Sequence, residues 1–286
     1  MDPDRLIIRR LTRADFPLCR QLVEQAGWNQ LDDDWERAIR LEPDGCFVGD
    51  LNGVGVATTT CCRFGTTGWI AMVLVDRAAR GRGVARELMA HAIAYLRDSG
   101  AQTIRLDATP LGLPVYQKLG FRIEFELVRY AGRFPGAAAP ERAVRRYADA
   151  SVMAEIAALD AISAGADRCS FLALLHPAAP PSFYLNRDQS GRLAGFAGFR
   201  KGRNAVQIGP VTAVTEAAGA ALMADLASAF PGTACFLDIP LANPGAIKWV
   251  EARGFERQRG FMRMCLGPEP RDKPEWMWAS SGPEKG

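Results

Sequence analysis

The chain has 286 residues, 48% of them hydrophobic and 23% charged, with a formal net charge of +3. At roughly 100–200 residues per domain this length predicts two domains, each able to bury a core, and the charge gives no case for nucleic acid. The basic residues are scattered, with only short clusters such as Arg142-Arg145-Arg146. No apolar run reaches the roughly 18 residues of a membrane span, and the opening MDPDRLIIRR places charges where a secretory signal needs an apolar stretch. No membrane partner and a cytoplasmic location are expected. The seven cysteines are odd in number and form no CxxC pair, which suits reduced thiols. With two histidines, His91 and His176, histidine-rich metal sites and Ser-His-Asp chemistry are poor fits, and no metal is expected.

Taken in order, LIIRRLTRADFPLCRQLVEQAG predicts a strand, a polar turn and an amphipathic helix, with Asp15 as N-cap and Leu18, Leu22 and Val23 on one face. Trp28 and Asn29 follow, then the acidic run Asp32-Asp33-Asp34. Phe47-Val48 precede a hairpin turn at Asn52-Gly53. Ile70–Val75 has strand length. Residues 84–98 carry Ala85, Leu88, Met89, Ala92, Ile93 and Leu96 on one helical face, with Gly100 to end it and a strand at Thr103–Leu106.

The same layout then returns. Arg145-Arg146 match Arg9-Arg10, Ser151 takes the cap position, and Ser190-Gly191 match the hairpin turn. Leu222-Met223 match Leu88-Met89, Asp238 matches Asp107, and Gly254-Phe255 match Gly120-Phe121. Matched pairs lie roughly 130–140 residues apart, so two copies of one α/β unit are expected. A linker is read at 131–142. The tail from Pro268 is rich in Pro, Gly and charge and is expected to be poorly ordered, although Trp276 and Trp278 are unusual there and suit docking.

The chemistry is concentrated between the strand at 70–75 and the helix at 84–98. In Arg80-Gly81-Arg82-Gly83-Val84-Ala85 two glycines let the backbone curl with its N–H groups inward, and a helix N-terminus adds unpaired donors. Such a turn suits a pyrophosphate, with Arg77, Arg80, Arg82 and Arg86 adding charge. It is not a P-loop, because G-x-x-x-x-G-K-[ST] is absent. A dinucleotide site needs G-x-G-x-x-G directly after its strand. Here Arg86 replaces the third glycine and Asp76 to Arg80 intervene, although Asp107 lies where a ribose-binding acid would.

This stretch resembles the GCN5-related N-acetyltransferase (GNAT) superfamily. The hallmark of an apolar strand, [RQ]-x-x-G-x-[GA] and a helix is matched by Arg80, Gly83 and Ala85. A tyrosine shortly before a Gly-Phe is matched by Tyr116 to Phe121. The resemblance covers nearly the whole chain but is motif-specific only over about 70–121. It implies an α/β (α+β) protein of two tandem GNAT-like domains, each a mixed, mostly antiparallel sheet flanked by helices. An acetyl-CoA-binding copy is expected at 1–132, a degenerate copy at 140–268 and a flexible tail at 269–286.

It further implies that Met72, Val73, Leu74 and Val75 pair with the pantetheine arm through their backbone, and that N–H groups of Gly81, Arg82, Gly83, Val84, Ala85 and Arg86 hold the pyrophosphate. Tyr116 would act as general acid on the departing thiolate. Its alternative is a packing tyrosine, and Pro114 suits the start of its helix. Trp28, Asn29 and Asp34 are candidate acceptor-binding residues, with packing and helix capping as the alternatives. The implied reaction is acetyl transfer from acetyl-CoA to the amine of a small molecule or peptide. A non-catalytic acyl-CoA sensor is the runner-up, and a homodimer is left open. In the second copy the arginine and paired glycines are lost, only Gly219 stands near the turn, and Val250, beside Trp249, replaces the tyrosine, so weak or absent cofactor binding is expected there.

Overall fold

Strand β1 (Leu6–Arg10) pairs antiparallel with β2 (Cys46–Leu51), and α1 (Phe16–Ala26) and α2 (Asp32–Leu41) cross between them. The structure is a computed structural model that describes residues 6–135, 146–147, 149–175 and 182–286. The first copy continues through β3 (Val54–Phe64), β4 (Thr67–Val75), α3 (Val84–Asp98), β5 (Thr103–Ala108), α4 (Leu113–Lys118) and β6 (Arg122–Arg133). The second repeats that order with β7 (Arg146–Tyr147), α5 (Ala150–Ala164), α6 (Cys169–Ala173), β8 (Ser182–Arg187), β9 (Leu193–Arg200), β10 (Val206–Ala213), α7 (Glu216–Ala229), β11 (Ala234–Pro240), α8 (Pro244–Glu251) and β12 (Glu256–Leu266). A further strand, β13 (Met277–Ala279), follows.

Two caps differ from their expected form. Asp15 stands at the α1 cap position, but its carboxylate turns back to accept from Thr12 N at 2.8 Å and to pair with Arg9 at 2.7 Å. In the second copy Asp149, not Ser151, caps α5, accepting from the backbone N–H of Ser151 and Val152.

The strands form one mixed, mostly antiparallel sheet in the order β1-β2-β3-β4-β5-β12-β6-β11-β10-β9-β8-β7, with β13 added to β10. Helices cover both faces. On one, α3 buries Leu88, Met89, Ala92 and Leu96 against Ile70, Ile104 and Leu106, and α7 buries Leu222, Met223 and Leu226 against Ile208, Leu237 and Ile239. On the other, a core containing Trp35, Trp69, Ile156, Phe171 and Phe196 spans both copies. Each layer hides the apolar face of the next.

The two copies exchange their last strands. β12, from the second copy, lies between β5 and β6, and β6, from the first, lies between β12 and β11. Two reciprocal ion pairs lock the exchange. Arg263 on β12 grips Asp107 on β5 through two 2.8 Å bonds, and Arg129 on β6 grips Asp238 on β11 through two of 2.7 Å. All four residues are at least 97% buried, where removing one partner of such a pair costs about 3–5 kcal/mol. The expected boundaries at 132 and 140 therefore divide the sequence but cut through a continuous sheet. Residues 136–142 of the expected linker, with Arg142 and Arg145, lie outside the described residues, as does His176.

The expectation of a flexible tail at 269–286 is corrected. Met277–Ala279 pairs with β10, Ser280 N donates to the Asp238 carbonyl at 2.8 Å, and Trp278 is 2% exposed. The unpaired edge of β10 gives this polar, Pro-rich segment backbone partners that its composition does not reveal.

Candidate active site

β4 and β5 run parallel and pair only from Thr67↔Thr103 to Trp69↔Arg105. Beyond Trp69 they part, so the edge of β4 from Ile70 to Val75 that faces β5 has no strand partner. Along its other edge β4 pairs with β3 through a bulge, where Met72 adopts a φ of 52°. A left-handed conformation costs a non-glycine residue about 1–2 kcal/mol. Thr58 Oγ1 and Thr59 Oγ1 hold the bulge by donating to the carbonyls of Met72 and Ala71 at 3.0 and 3.3 Å. The gap opens a cavity of about 880 Å³, within the size range of small-molecule sites. Met72, Val73, Leu74, Val75, Arg80, Gly81, Gly83, Val84, Ala85, Arg86 and Tyr116 all line it, together with Asp107 and the Thr109–Gly112 loop.

At one end of the cavity the Asp76 carboxylate caps a short 3-10 turn by accepting from Ala78 N at 2.8 Å, and Arg80 Nε donates back to the Val75 carbonyl at 3.1 Å. Gly81 and Gly83 then take φ values of 78° and 81°. A Cβ at either would meet nothing within 4 Å, so backbone conformation, not space, calls for glycine there. Gly83 caps α3, whose first N–H groups have no acceptor within the helix. Of the four expected arginines, Arg80 and Arg86 line the cavity here, whereas Arg77 turns to the Gln25 carbonyl at 2.7 Å and Arg82 is exposed outside the lining.

Tyr116 stands across the cavity on α4, which Pro114 opens as expected. Its ring packs over Gly112, where a Cβ would come within 2.7 Å of it, and lies 6.2 Å from the ring of Phe121. The hydroxyl has no hydrogen-bond partner among the described residues. Desolvation pushes its pKa up to about 12, which keeps it a proton donor at neutral pH.

At the acceptor end the three candidate residues separate. Trp28 lines the cavity, and Asn29 and Asp34 do not. Asn29 Oδ1 accepts from Asn204 N and Ala205 N at 2.8 and 3.1 Å, joining the two copies. Burial alone would push the Asp34 carboxyl up, but the guanidiniums of Arg200 and Arg37, at 3.1 and 2.8 Å, hold it below the usual carboxylate range. Both are thus interface residues. Motif reading does not single out several other residues that reach the cavity, Gln30, Arg259, Phe261 and Glu284 among them. Gln30 follows Asn29, Arg259 and Phe261 come from the exchanged strand β12, and Glu284 comes from the tail. Glu284 pairs with Arg200 at 2.6 Å, and Trp69 Nε1 donates to the Pro283 carbonyl at 3.2 Å. Cys61 and Cys62 are fully buried, with burial pushing both thiols up, and His91 is an exposed helix residue edge-on to Phe47.

The matching gap in the second copy is filled by the chain itself. β10 and β11 pair only over Val206–Ile208, and β13 lies along β10 beyond that point. Trp278 packs so closely over Gly219 of α7 that a Cβ there would fall within the indole ring. Val250, at the tyrosine position, is 0% exposed.

Among the described residues no group of His, Cys, Asp and Glu is arranged to hold a metal ion, and no helix is long and apolar enough to cross a membrane.

Residues 7–121 match the acetyltransferase (GNAT) family, and residues 156–279 match an acetyltransferase (GNAT) domain. The chain is 27% identical over 242 residues to the uncharacterized N-acetyltransferase YitH of Bacillus subtilis, covering 83% of each. It is 36% identical over 90 residues to the N-alpha-acetyltransferase MAK3 of Arabidopsis thaliana, a match that covers 29% of this chain and 47% of that protein. A structure from Pyrococcus horikoshii described as a candidate acetyltransferase superposes with a TM-score of 0.84 at 21% identity, covering 100% of this chain and 97% of that one. A tandem GNAT protein from the clavulanic acid biosynthesis pathway does so with a TM-score of 0.66 at 17% identity, covering 93% and 100%. The fold, the repeated element order and the two family matches agree that this chain belongs to the GNAT acetyltransferases and carries two GNAT domains in tandem.

Proposed function

We propose that the first copy transfers an acetyl group from acetyl-CoA to the amine of a small molecule or peptide, and that the second copy binds no cofactor. The observation that carries this reading is the gap between β4 and β5, which joins an open strand edge, a glycine turn at a helix N-terminus and a half-buried, unpaired tyrosine in one cavity. The backbone edge from Met72 to Val75 matches the alternating amides of a pantetheine arm. The N–H groups from Gly81 to Arg86, with Arg80 and Arg86 beside them, fit a pyrophosphate. Acetyl-CoA supplies the thioester as co-substrate.

In the reaction a neutral amine attacks the thioester carbonyl, and free N–H groups on the β4 edge receive the developing oxyanion. The C–S bond then breaks, Tyr116 gives its hydroxyl proton to the leaving sulfur, and the proton of the new ammonium is lost to water while water returns one to the Tyr116 oxygen, so the proton count closes.

A sensor reading keeps one observation in its favour. Both carboxylates lining the cavity, Asp107 and Glu284, are committed to arginines, so neither stands free as a base. Release of free CoA thiol across a panel of amines, compared between the protein and Tyr116→Phe, separates the two. The enzyme reading expects turnover that falls by about 10²–10⁴ in the variant while acetyl-CoA still binds. Absence of turnover in both proteins, with binding intact, supports the sensor.

A further inference from the structure

The deeply buried arginines of this molecule are matched to carboxylates. Arg105 meets Glu124 and Asp272, Arg129 meets Asp238, Arg168 meets Asp160, Arg200 meets Asp34 and Glu284, and Arg263 meets Asp107. Arg259, which is half-buried, differs from them. It lies on the cavity wall with a buried Nε that has no hydrogen-bond partner, and among the described residues no carboxylate reaches it within ion-pair distance. Its guanidinium lies over the ring of Phe261, at 4.9 Å. Burial and the neighbouring Arg129 lower its pKa to about 10, against the weaker opposing pull of Asp238 and Glu284, which are themselves paired with Arg129 and Arg200.

A second unsatisfied atom lines the same cavity. Gln30 is 5% exposed, and its amide orientation is fixed because Nε2 donates to Glu284, which leaves Oε1 buried with no donor. Two residues that line one cavity, one carrying a donor and the other an acceptor without a partner, describe the partner that would complete them once their side chains turn to it.

Resting on the acetyl-transfer reading above, we propose that the acceptor is an amine that also carries a carboxylate, the class of amino acids and short peptides. The carboxylate sits on Arg259, and the amine N–H faces Oε1 of Gln30. Charge supports a monoanion over a phosphate dianion. The neighbouring pairs Arg129–Asp238 and Arg263–Asp107 are neutral, as is the set of Arg37, Arg200, Asp34 and Glu284, so Arg259 is the positive charge left over beside Gln30 and Glu284, apart from Arg80, Arg86 and Lys118 elsewhere on the lining. Glu284 shows that a carboxylate is accommodated at this end of the cavity. The arginine is also specific to the first copy's cavity. The offset that relates Phe255 to Phe121 and Arg263 to Arg129 relates Arg259 to Phe125, so the exchanged strand brings its charge only to the cavity that has the glycine turn.

The test uses the full chain, saturated first with CoA. Acetylated amino acids with small, aliphatic, aromatic, acidic and basic side chains, each beside its carboxamide, are then titrated by calorimetry. At least one acid is expected to bind roughly 10- to 100-fold more tightly than its carboxamide, the range for a hydrogen bond to a charged group. In Arg259→Gln that ratio falls to within about twofold of unity, and in Arg259→Lys it is partly kept. Equal binding of acids and amides, no binding of either, or a ratio unchanged in Arg259→Gln would overturn the proposal. Failure of CoA itself to bind appears in the first titration and contradicts the acetyl-transfer reading on which the proposal rests.

Discussion

The positions of Tyr116, Arg80, Gly81 and Gly83 on the cavity are legible in the sequence because their placement depends on their immediate neighbours. A left-handed turn asks for glycine at fixed positions, and a short helix opened by Pro114 presents the tyrosine one turn later. Gln30, Arg259 and Glu284 are not legible in that way, because strand exchange and tail docking bring them to the cavity from far along the chain. Asn29 and Asp34 carry the right chemistry in the right region, yet Asn29 spends its hydrogen bonds on the other copy, and Asp34 spends its own on Leu31 N, Arg37 and, across the copies, Arg200. Tyr116 also sets an expectation for pH. A phenol with a pKa near 12 stays protonated to pH 10, so kcat should show no alkaline fall from this group across that range. A pH profile that drops with a midpoint below pH 10 and disappears with the residual activity of Tyr116→Phe would contradict that assignment.

At the scale of elements, periodicity locates α3 as Val84–Asp98, the same bounds as the sequence reading, because its apolar face is continuous and glycines flank it. β13 escapes such reading. Three residues in a polar segment carry no pattern, and they become a strand only because β10 offers an unpaired edge beyond Ile208. Trp278 secures that strand against α7 at Gly219, filling the place that the cleft occupies in the first copy. Removing a buried Trp leaves a cavity worth about 3–5 kcal/mol, so Trp278→Ala should lower the unfolding free energy by that amount in urea titrations. A loss under 1 kcal/mol would show that the indole is not held in the core.

At the scale of the whole molecule, the internal repeat is legible as two copies in tandem, but the exchange between them is not. Matched anchors give each copy its own last strand, and nothing local says that β6 and β12 trade places. Their position follows from the sheet as a whole, where Arg129 and Arg263 each find a carboxylate only across the exchange. A chain ending at residue 135 would lose both partners of β6 and one partner of β5, leaving long open edges that pair with other chains. Such a fragment should self-associate or aggregate in sedimentation experiments and form a soluble complex when co-expressed with residues 136–286. A stable monomer with native circular dichroism would show that the exchange is dispensable.

The central claim is that one copy keeps an open cofactor cleft while the chain fills the other. Calorimetric titration of the full chain with acetyl-CoA, with NAD as the control ligand, tests it most directly. One acetyl-CoA per chain and no NAD binding is the expected result. Two acetyl-CoA sites would show that the β13-filled gap still takes cofactor, and NAD binding without acetyl-CoA binding would return the Gly81–Gly83 turn to a dinucleotide.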